Sequence, residues 1–117
     1  MEGVKYIYGH HLMPSFKTGE LGVKNGVLTS ASDSFNAVIK GKGGHASTPH
    51  LLLDPVPIAA EVVMAIQTIV SRKVDPQQPV VISIPTMTTG PNESNNVIPN
   101  EVKLMGTIRT FDNVVRK

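Results

Sequence analysis

The sequence predicts an α+β protein, a split βαβ (ferredoxin-like) sandwich in which a helix covers one face of an antiparallel sheet. Two segments alternate apolar with polar residues, as half-buried strands do, and a segment between them repeats apolar residues every three or four positions. A further segment rich in β-branched residues completes the order strand, helix, strand, strand. A complete unit of this kind would add a second helix and a last strand, so we expect the chain to be truncated before them.

The first strand is predicted over residues 34–40, where Phe35 and every second residue after it are apolar. The helix is predicted from its start signals. Asp54 is a good N-cap, Pro55 suits the first helical position, and apolar residues then recur at helical spacing as far as Arg72.

The second strand is predicted over residues 80–87, which are mostly β-branched and apolar. Pro85 lacks a ladder donor and therefore indicates an edge strand or a bulge, of which the edge is the simpler interpretation. The third strand is predicted over residues 101–111, where apolar and polar residues alternate. Asp112 and Asn113 could cap a second helix.

Residues 1–30 differ from the rest of the chain because prolines and glycines interrupt them and they hold few core residues. The Lys-Asn-Gly sequence at 24–26 lies between two valines and predicts a tight hairpin turn. We therefore divide the chain into a linker segment, 1–30, and a compact domain, 31–117.

Composition excludes several classes of function. The chain has 117 residues, no cysteine and a net charge of +2, so a disulfide frame, a thiolate zinc site and a cysteine nucleophile are impossible. Its few aromatic residues form no stacking pattern and its basic residues are scattered, which disfavours nucleic-acid binding. No apolar run is long enough to cross a membrane, so we expect a soluble, cytoplasmic protein without nucleic-acid or membrane partners.

Four histidines are candidates for chemistry. His45 follows the glycine-rich loop 41–44 and precedes the helix, a position where functional side chains concentrate, although a contact that caps the helix is an equal alternative. His10 and His11 are adjacent, so at most one of them would face a given metal, and by spacing alone both are typical surface residues. His50 is more readily explained as a surface residue.

Two polar residues near the third strand are further candidates. Asn96 precedes the Val-Ile-Pro sequence, where ordinary turn chemistry is the default explanation for an asparagine and a binding role is the alternative. Arg109 alternates with apolar residues late in the third strand, where its guanidinium could grip a carboxylate in bidentate fashion or extend into solvent. The residues alone leave both alternatives open.

Taken together, the motifs resemble a known family. GKGGHASTPH at 41–50, DPVPIAAEVVMAIQTIVSR at 54–72, NNVIPNEV at 95–102 and GTIR at 106–109 are similar to zinc-dependent amidohydrolases related to hippurate hydrolase, indoleacetyl-amino-acid hydrolase and aminoacylase. The resemblance covers nearly the whole chain. It implies a smaller lid domain of split βαβ form, through which two subunits associate beside a two-metal catalytic domain.

The resemblance also implies roles for individual residues. His45 matches a lid histidine that reaches into the partner subunit's active site and stabilises the oxyanion formed when water attacks the amide. Asn96 and Arg109 match residues that hold the substrate's carboxylate or its neighbouring polar groups. His11 matches a metal ligand of the catalytic domain.

In domain terms, the resemblance makes residues 1–30 a remnant of the catalytic domain with a linker hairpin. Residues 31–117 become the lid and dimerisation domain, incomplete at its C-terminal end. It implies a homodimer formed through the edge strand 80–87 and the helix 55–72.

The parent enzyme implied by the resemblance hydrolyses the amide bond of N-acyl amino acids or related peptides. It uses a divalent metal, zinc or alternatively manganese or cobalt. The family's other metal ligands and its general base have no match here, so we expect this chain alone to bind no metal stably and to be inactive. Two alternatives stay open: a stand-alone module that binds small carboxylates, and a purely structural association domain.

Overall fold

A computed structural model describes residues 2–91 and 94–117. A three-residue 3-10 helix, Pro49–Leu51, precedes the long helix. Among the described residues, no helix is long and apolar enough to cross a membrane. The other elements, in chain order, are β1 Ala31–Lys40, β2 Gly44–His45, α1 Pro55–Arg72, β3 Val80–Thr88, β4 Val97–Ile98, β5 Glu101–Thr110 and α2 Asn113–Arg116.

The long strands form one antiparallel sheet in the order β1-β5-β3. The last strand in sequence is therefore central, with Thr107 paired to Ser34 on one side and to Ser83 on the other. All three predicted strands are confirmed, as is the α+β class. β1 begins three residues before the predicted start, and its alternating exposure continues through those added residues.

Helix α1 has the predicted start and end. The Asp54 carboxylate accepts a hydrogen bond of 2.9 Å from the backbone N–H of Val56, which satisfies one of the unpaired donors of the first turn. Pro55, the first helical residue, is fully buried. The helix ends at Arg72, and the N–H of Lys73 still donates to the carbonyl of Ile69 at 2.8 Å.

The core lies between α1 and one face of the sheet. Ala59, Val102 and Leu104 are fully buried, and half-buried aliphatic side chains from β1, α1 and β3 pack around them. On the same face the ring of Phe35 lies over Gly106, and any side chain at position 106 would collide with that ring. The glycine therefore leaves the space that the aromatic ring occupies.

Strand β3 combines the two features that Pro85 indicated. It lies at the edge of the sheet, and its register against β5 shifts by one residue between Ser83 and Thr86. A proline in a bulge on an edge strand costs no central ladder bond. Strand β1, at the other edge, is regular over ten residues.

The structure differs from the prediction in two places, the β2–β4 ribbon and the segment 24–26. Apolar periodicity gives no information about either. Strands β2 and β4 form a separate two-stranded ribbon that was not predicted, because two residues are too few to display a repeat. The predicted hairpin at 24–26 is wrong. Gly26 has a positive φ of 86° in a bend, but its exposed flanks form no strands because they have no apolar surface to pack against.

A second helix, which Asp112 and Asn113 could cap, is present as the single turn α2. The Asp112 carboxylate accepts hydrogen bonds from the N–H groups of Val114 and Val115. The guanidinium of Arg116 donates to both carboxylate oxygens of Asp33 at 2.8 and 2.6 Å, which fastens α2 to β1. This hydrogen-bonded pair lowers the pKa of the Asp33 carboxyl below its ordinary value.

The N-cap of α1 yields a stability prediction. We expect Asp54→Ala to lower the free energy of unfolding by about 1 kcal/mol, because the N–H of Val56 loses its partner. Urea unfolding followed by circular dichroism measures the change. Asp112→Ala is the matched control, since it removes the same kind of cap from a four-residue helix and should cost less. Equal losses in the two variants would contradict the prediction.

Candidate functional site

The β2–β4 ribbon brings His45 next to the segment that carries Asn96. His45 pairs with Val97 across the ribbon, and the N–H of Ala46 donates to the carbonyl oxygen of Asn96 at 2.9 Å. Both His45 and Asn96 are exposed. Two candidate residues that are far apart in the sequence therefore share one surface beside the N-terminal end of β5.

The imidazole of His45 is held through one of its two nitrogens. The backbone N–H of Ser47 donates to Nδ1 at 3.2 Å, and the Ser47 hydroxyl lies 2.8 Å from the same atom. A nitrogen that accepts from a backbone N–H carries no proton, so the neutral ring bears its hydrogen on Nε2. Among the described residues no hydrogen bond engages Nε2, which leaves this N–H available as a donor.

Asn96 offers complementary groups. Its side-chain oxygen accepts a hydrogen bond of 2.5 Å from the hydroxyl of Ser94. This bond orients the amide so that its NH₂ group, which has no hydrogen-bond partner within the described part of the chain, can donate to a ligand. The site therefore presents two N–H donors, one from each side chain, a set suited to carbonyl, carboxylate or oxyanion oxygens.

Sequence analysis missed Asn100, which holds the glycine-rich loop. Its side-chain oxygen accepts from the N–H of Gly43 at 2.9 Å, and its backbone carbonyl accepts from the N–H of Gly41 at 2.7 Å. A side chain at Gly43 would collide with the carbonyl oxygen of Ile98, so only glycine permits this close approach. In the sequence, the position of Asn100 directly after Pro99 could have indicated that this residue has a structural role.

Arg109 is not brought to this site within one chain. It lies eight residues beyond Glu101 on β5, or roughly 26 Å along an extended strand. Its neighbours across the sheet are Ser32 and Val81, at the end opposite the ribbon. One chain therefore cannot grip a single small carboxylate with Asn96 and Arg109 together, which disfavours the stand-alone carboxylate-binding module.

His11 lies in the segment 2–29, which is exposed throughout. Within residues 2–91 and 94–117, no three histidine, aspartate or glutamate side chains are grouped closely enough to hold a metal ion. A catalytic zinc needs about three protein ligands. The donor set described in this chain therefore does not fit a catalytic metal without ligands from elsewhere.

Comparison with known proteins is consistent with this incomplete site. Over all 117 residues the chain is 42% identical to the N-acyl-L-amino acid amidohydrolase of Geobacillus stearothermophilus, and over 116 residues it is 40% identical to thermostable carboxypeptidase 2 of Saccharolobus solfataricus. The first match includes 100% of this chain but 31% of the amidohydrolase, and the second includes 99% of this chain but 29% of the carboxypeptidase. The chain thus spans less than a third of the length of these relatives.

A solved structure shares the fold. The crystal structure of an amidase of the hydantoinase/carbamoylase family from Burkholderia multivorans superposes with a TM-score of 0.60 at 28% identity, over 77% of this chain and 22% of that one. The family model described as the peptidase dimerisation domain matches residues 27–117. These matches confirm the resemblance drawn from the motifs, and the chain belongs to the peptidase dimerisation domain family.

Proposed function

We propose that this chain is the dimerisation and lid portion of a metal-dependent amidohydrolase that cleaves the amide bond of N-acyl amino acids or related peptides. The relatives that match all or nearly all of this chain include an N-acyl-L-amino acid amidohydrolase and a hippurate hydrolase. The single observation that carries the proposal is the ribbon, which presents the Nε2–H of His45 as a donor beside Asn96.

His45 acts in this proposal on the oxygen of the scissile amide. When water adds to an amide carbonyl, negative charge develops on that oxygen, and a fixed donor stabilises the charge more than it stabilises the substrate. The exposed Nε2–H of His45 has the required chemistry. It needs a partner surface that would bring the attacking water to the amide, and in this proposal the catalytic domain of a second subunit would be that surface.

Asn96 and Arg109 contact the substrate in this proposal, but from different chains. Asn96 lies beside His45, whereas Arg109 lies roughly 26 Å along β5 from the ribbon end. A site between two subunits can receive the first residue from one chain and the second from the other. The same arrangement explains why the residues that one chain contributes would be inactive without those of the other chain.

The interface is proposed along β3 and α1. Strand β3 has an open edge, and a two-fold axis could pair it with the same edge of a second copy. On α1, Ile58, Ala65 and Ile69 are exposed and lie in one row spanning about three turns. Such a row supplies apolar area for a symmetric contact.

The metal belongs to the whole enzyme in this proposal. His11 is the one residue of this chain that we assign as a ligand, and zinc, manganese or cobalt would need its other ligands from outside the chain. Residues 1–30 are accordingly proposed as catalytic-domain sequence and 31–117 as the lid. We expect no hydrolysis by this chain alone. A cytoplasmic location also remains part of the proposal.

Sedimentation of the chain over a range of concentrations tests the interface. We expect a dimer that Ser83→Lys weakens by about tenfold or more, because a two-fold axis places the new charge near its own copy. Ser34→Lys is the matched control, since Ser34 and Ser83 pair with the same residue, Thr107, from opposite edges. A dimer that Ser34→Lys breaks, or a monomer at every concentration, would contradict the proposed edge.

A further inference from the structure

We propose that Ser47 is a positioning residue for His45, and that its contacts with Nδ1 set the tautomer and orientation in which His45 presents Nε2–H. This inference rests on the proposed function of His45. It adds a residue that the motif comparison left without a role. Three observations carry it.

The first observation is that two donors of one residue converge on one nitrogen. The backbone N–H of Ser47 donates to Nδ1 at 3.2 Å and the hydroxyl lies 2.8 Å from it. Because the N–H can only donate, Nδ1 can only accept, and the hydroxyl must donate as well. If the proton moves to Nδ1, the backbone N–H loses its acceptor and the hydroxyl can no longer donate but has to turn and accept, so Ser47 favours the Nε2–H tautomer.

The second observation is that His45 is exposed and otherwise unrestrained at the ring. Its backbone carbonyl is held by the N–H and hydroxyl of Thr48 at 3.0 and 3.1 Å, but within the described part of the chain Ser47 provides the only hydrogen bonds to the imidazole. An exposed ring without such contacts would rotate about its side-chain torsions. Ser47 therefore restricts both rotation and proton position.

The third observation is that Ser47 lies in a loop whose backbone is already fixed. The ribbon pairs His45 with Val97, and Asn100 holds Gly43. The hydroxyl of Ser47 makes no other hydrogen bond within the described residues, so it contributes to the ring and not to the loop's framework. A donor histidine commonly depends on a partner at its second nitrogen, and here that partner is local in sequence.

Nuclear magnetic resonance of the chain tests the tautomer directly. Long-range ¹H–¹⁵N correlations of the imidazole, recorded where His45 is neutral, should show the proton on Nε2 in the unchanged chain. Ser47→Ala should raise the Nδ1–H population, while Ser47→Thr, which keeps a hydroxyl, should not. A proton on Nδ1 in the unchanged chain, or no difference between the alanine and threonine variants, would overturn the inference.

Kinetics test the consequence in an enzyme in which this chain replaces the matching segment of the Geobacillus amidohydrolase. Ser47→Ala should lower kcat by about three- to tenfold with KM unchanged, the effect of losing one hydrogen bond that matters in the transition state. Ser47→Thr should retain activity within about twofold. Thr48→Val is the control for loop disturbance, because the Thr48 hydroxyl donates to the backbone carbonyl of His45 and not to its imidazole.

The two proposals fail in different ways. If His45→Ala leaves kcat unchanged, the role of His45 fails, whatever tautomer the ring adopts. If His45→Ala abolishes activity while Ser47→Ala changes neither kcat nor the tautomer, the role of His45 stands and that of Ser47 is overturned. A Ser47→Ala variant that loses activity only through a raised KM would also overturn the positioning role.

Discussion

Replacing His45 by alanine is expected to lower kcat for N-acyl amino acid hydrolysis by about 10²- to 10³-fold, the cost of removing one donor from an oxyanion site. The measurement uses the Geobacillus amidohydrolase carrying this chain in place of its matching segment, which is 42% identical. The side chain is exposed and outside the core, so we expect the variant to keep its fold and its dimer.

His50→Ala is the matched control for that experiment. His50 is another exposed histidine five residues further on, in the 3-10 helix Pro49–Leu51, and no role is proposed for it. Its replacement should leave kcat within about twofold, as surface substitutions do. Similar losses of kcat in both variants would show that the effect comes from disturbance of the loop and not from removal of the donor on His45.

Mixing two inactive variants tests whether His45 acts on the partner subunit. The first variant carries His45→Ala, and the second lacks metal ligands in the Geobacillus portion. If the site is shared, mixed dimers hold one complete site, and random pairing should restore about a quarter of the activity. No recovery, in a mixture shown to exchange subunits, would place His45 in its own subunit's site or outside catalysis.

Replacing Leu104 by alanine is expected to lower the free energy of unfolding by about 2–5 kcal/mol. Leu104 is fully buried at the centre of the sheet, and among residues 2–91 and 94–117 only Ala59 and Val102 share its cluster of fully buried core residues. A small core closes poorly around a cavity, and domains of this size are stable by only about 5–15 kcal/mol. Urea unfolding at one fixed protein concentration measures the loss.

Met105→Ala is the control for the core substitution. Met105 is the next residue on β5, but its side chain projects from the opposite face and is 51% exposed. We expect it to change stability by less than about 0.5 kcal/mol, unless the dimer covers that face. A loss as large as that of Leu104→Ala would contradict the assignment of the helix-covered face as the core.

The functional candidates were only partly predictable. His45 could be singled out from its glycine-rich loop, but neither its contact with Ser47 nor its proximity to Asn96 follows from spacing. Asn100 escaped notice because its hydrogen bond to Gly43 joins residues 57 positions apart. Arg109 was grouped with Asn96 by motif, yet the direction of β5 carries it to the far end of the sheet.

The long elements of this protein follow from local sequence patterns. The local patterns are the alternation in β1 and β5, the three- and four-residue spacing in α1, and the caps at Asp54 and Asp112. Each involves residues that are close in sequence, so it can be recognised without the tertiary structure. Two features are visible in the tertiary structure alone: β5 is the central strand, and the β2–β4 ribbon places His45 near Asn96. Both depend on pairing between distant segments, which is set by how the whole chain packs and not by any repeat within one segment.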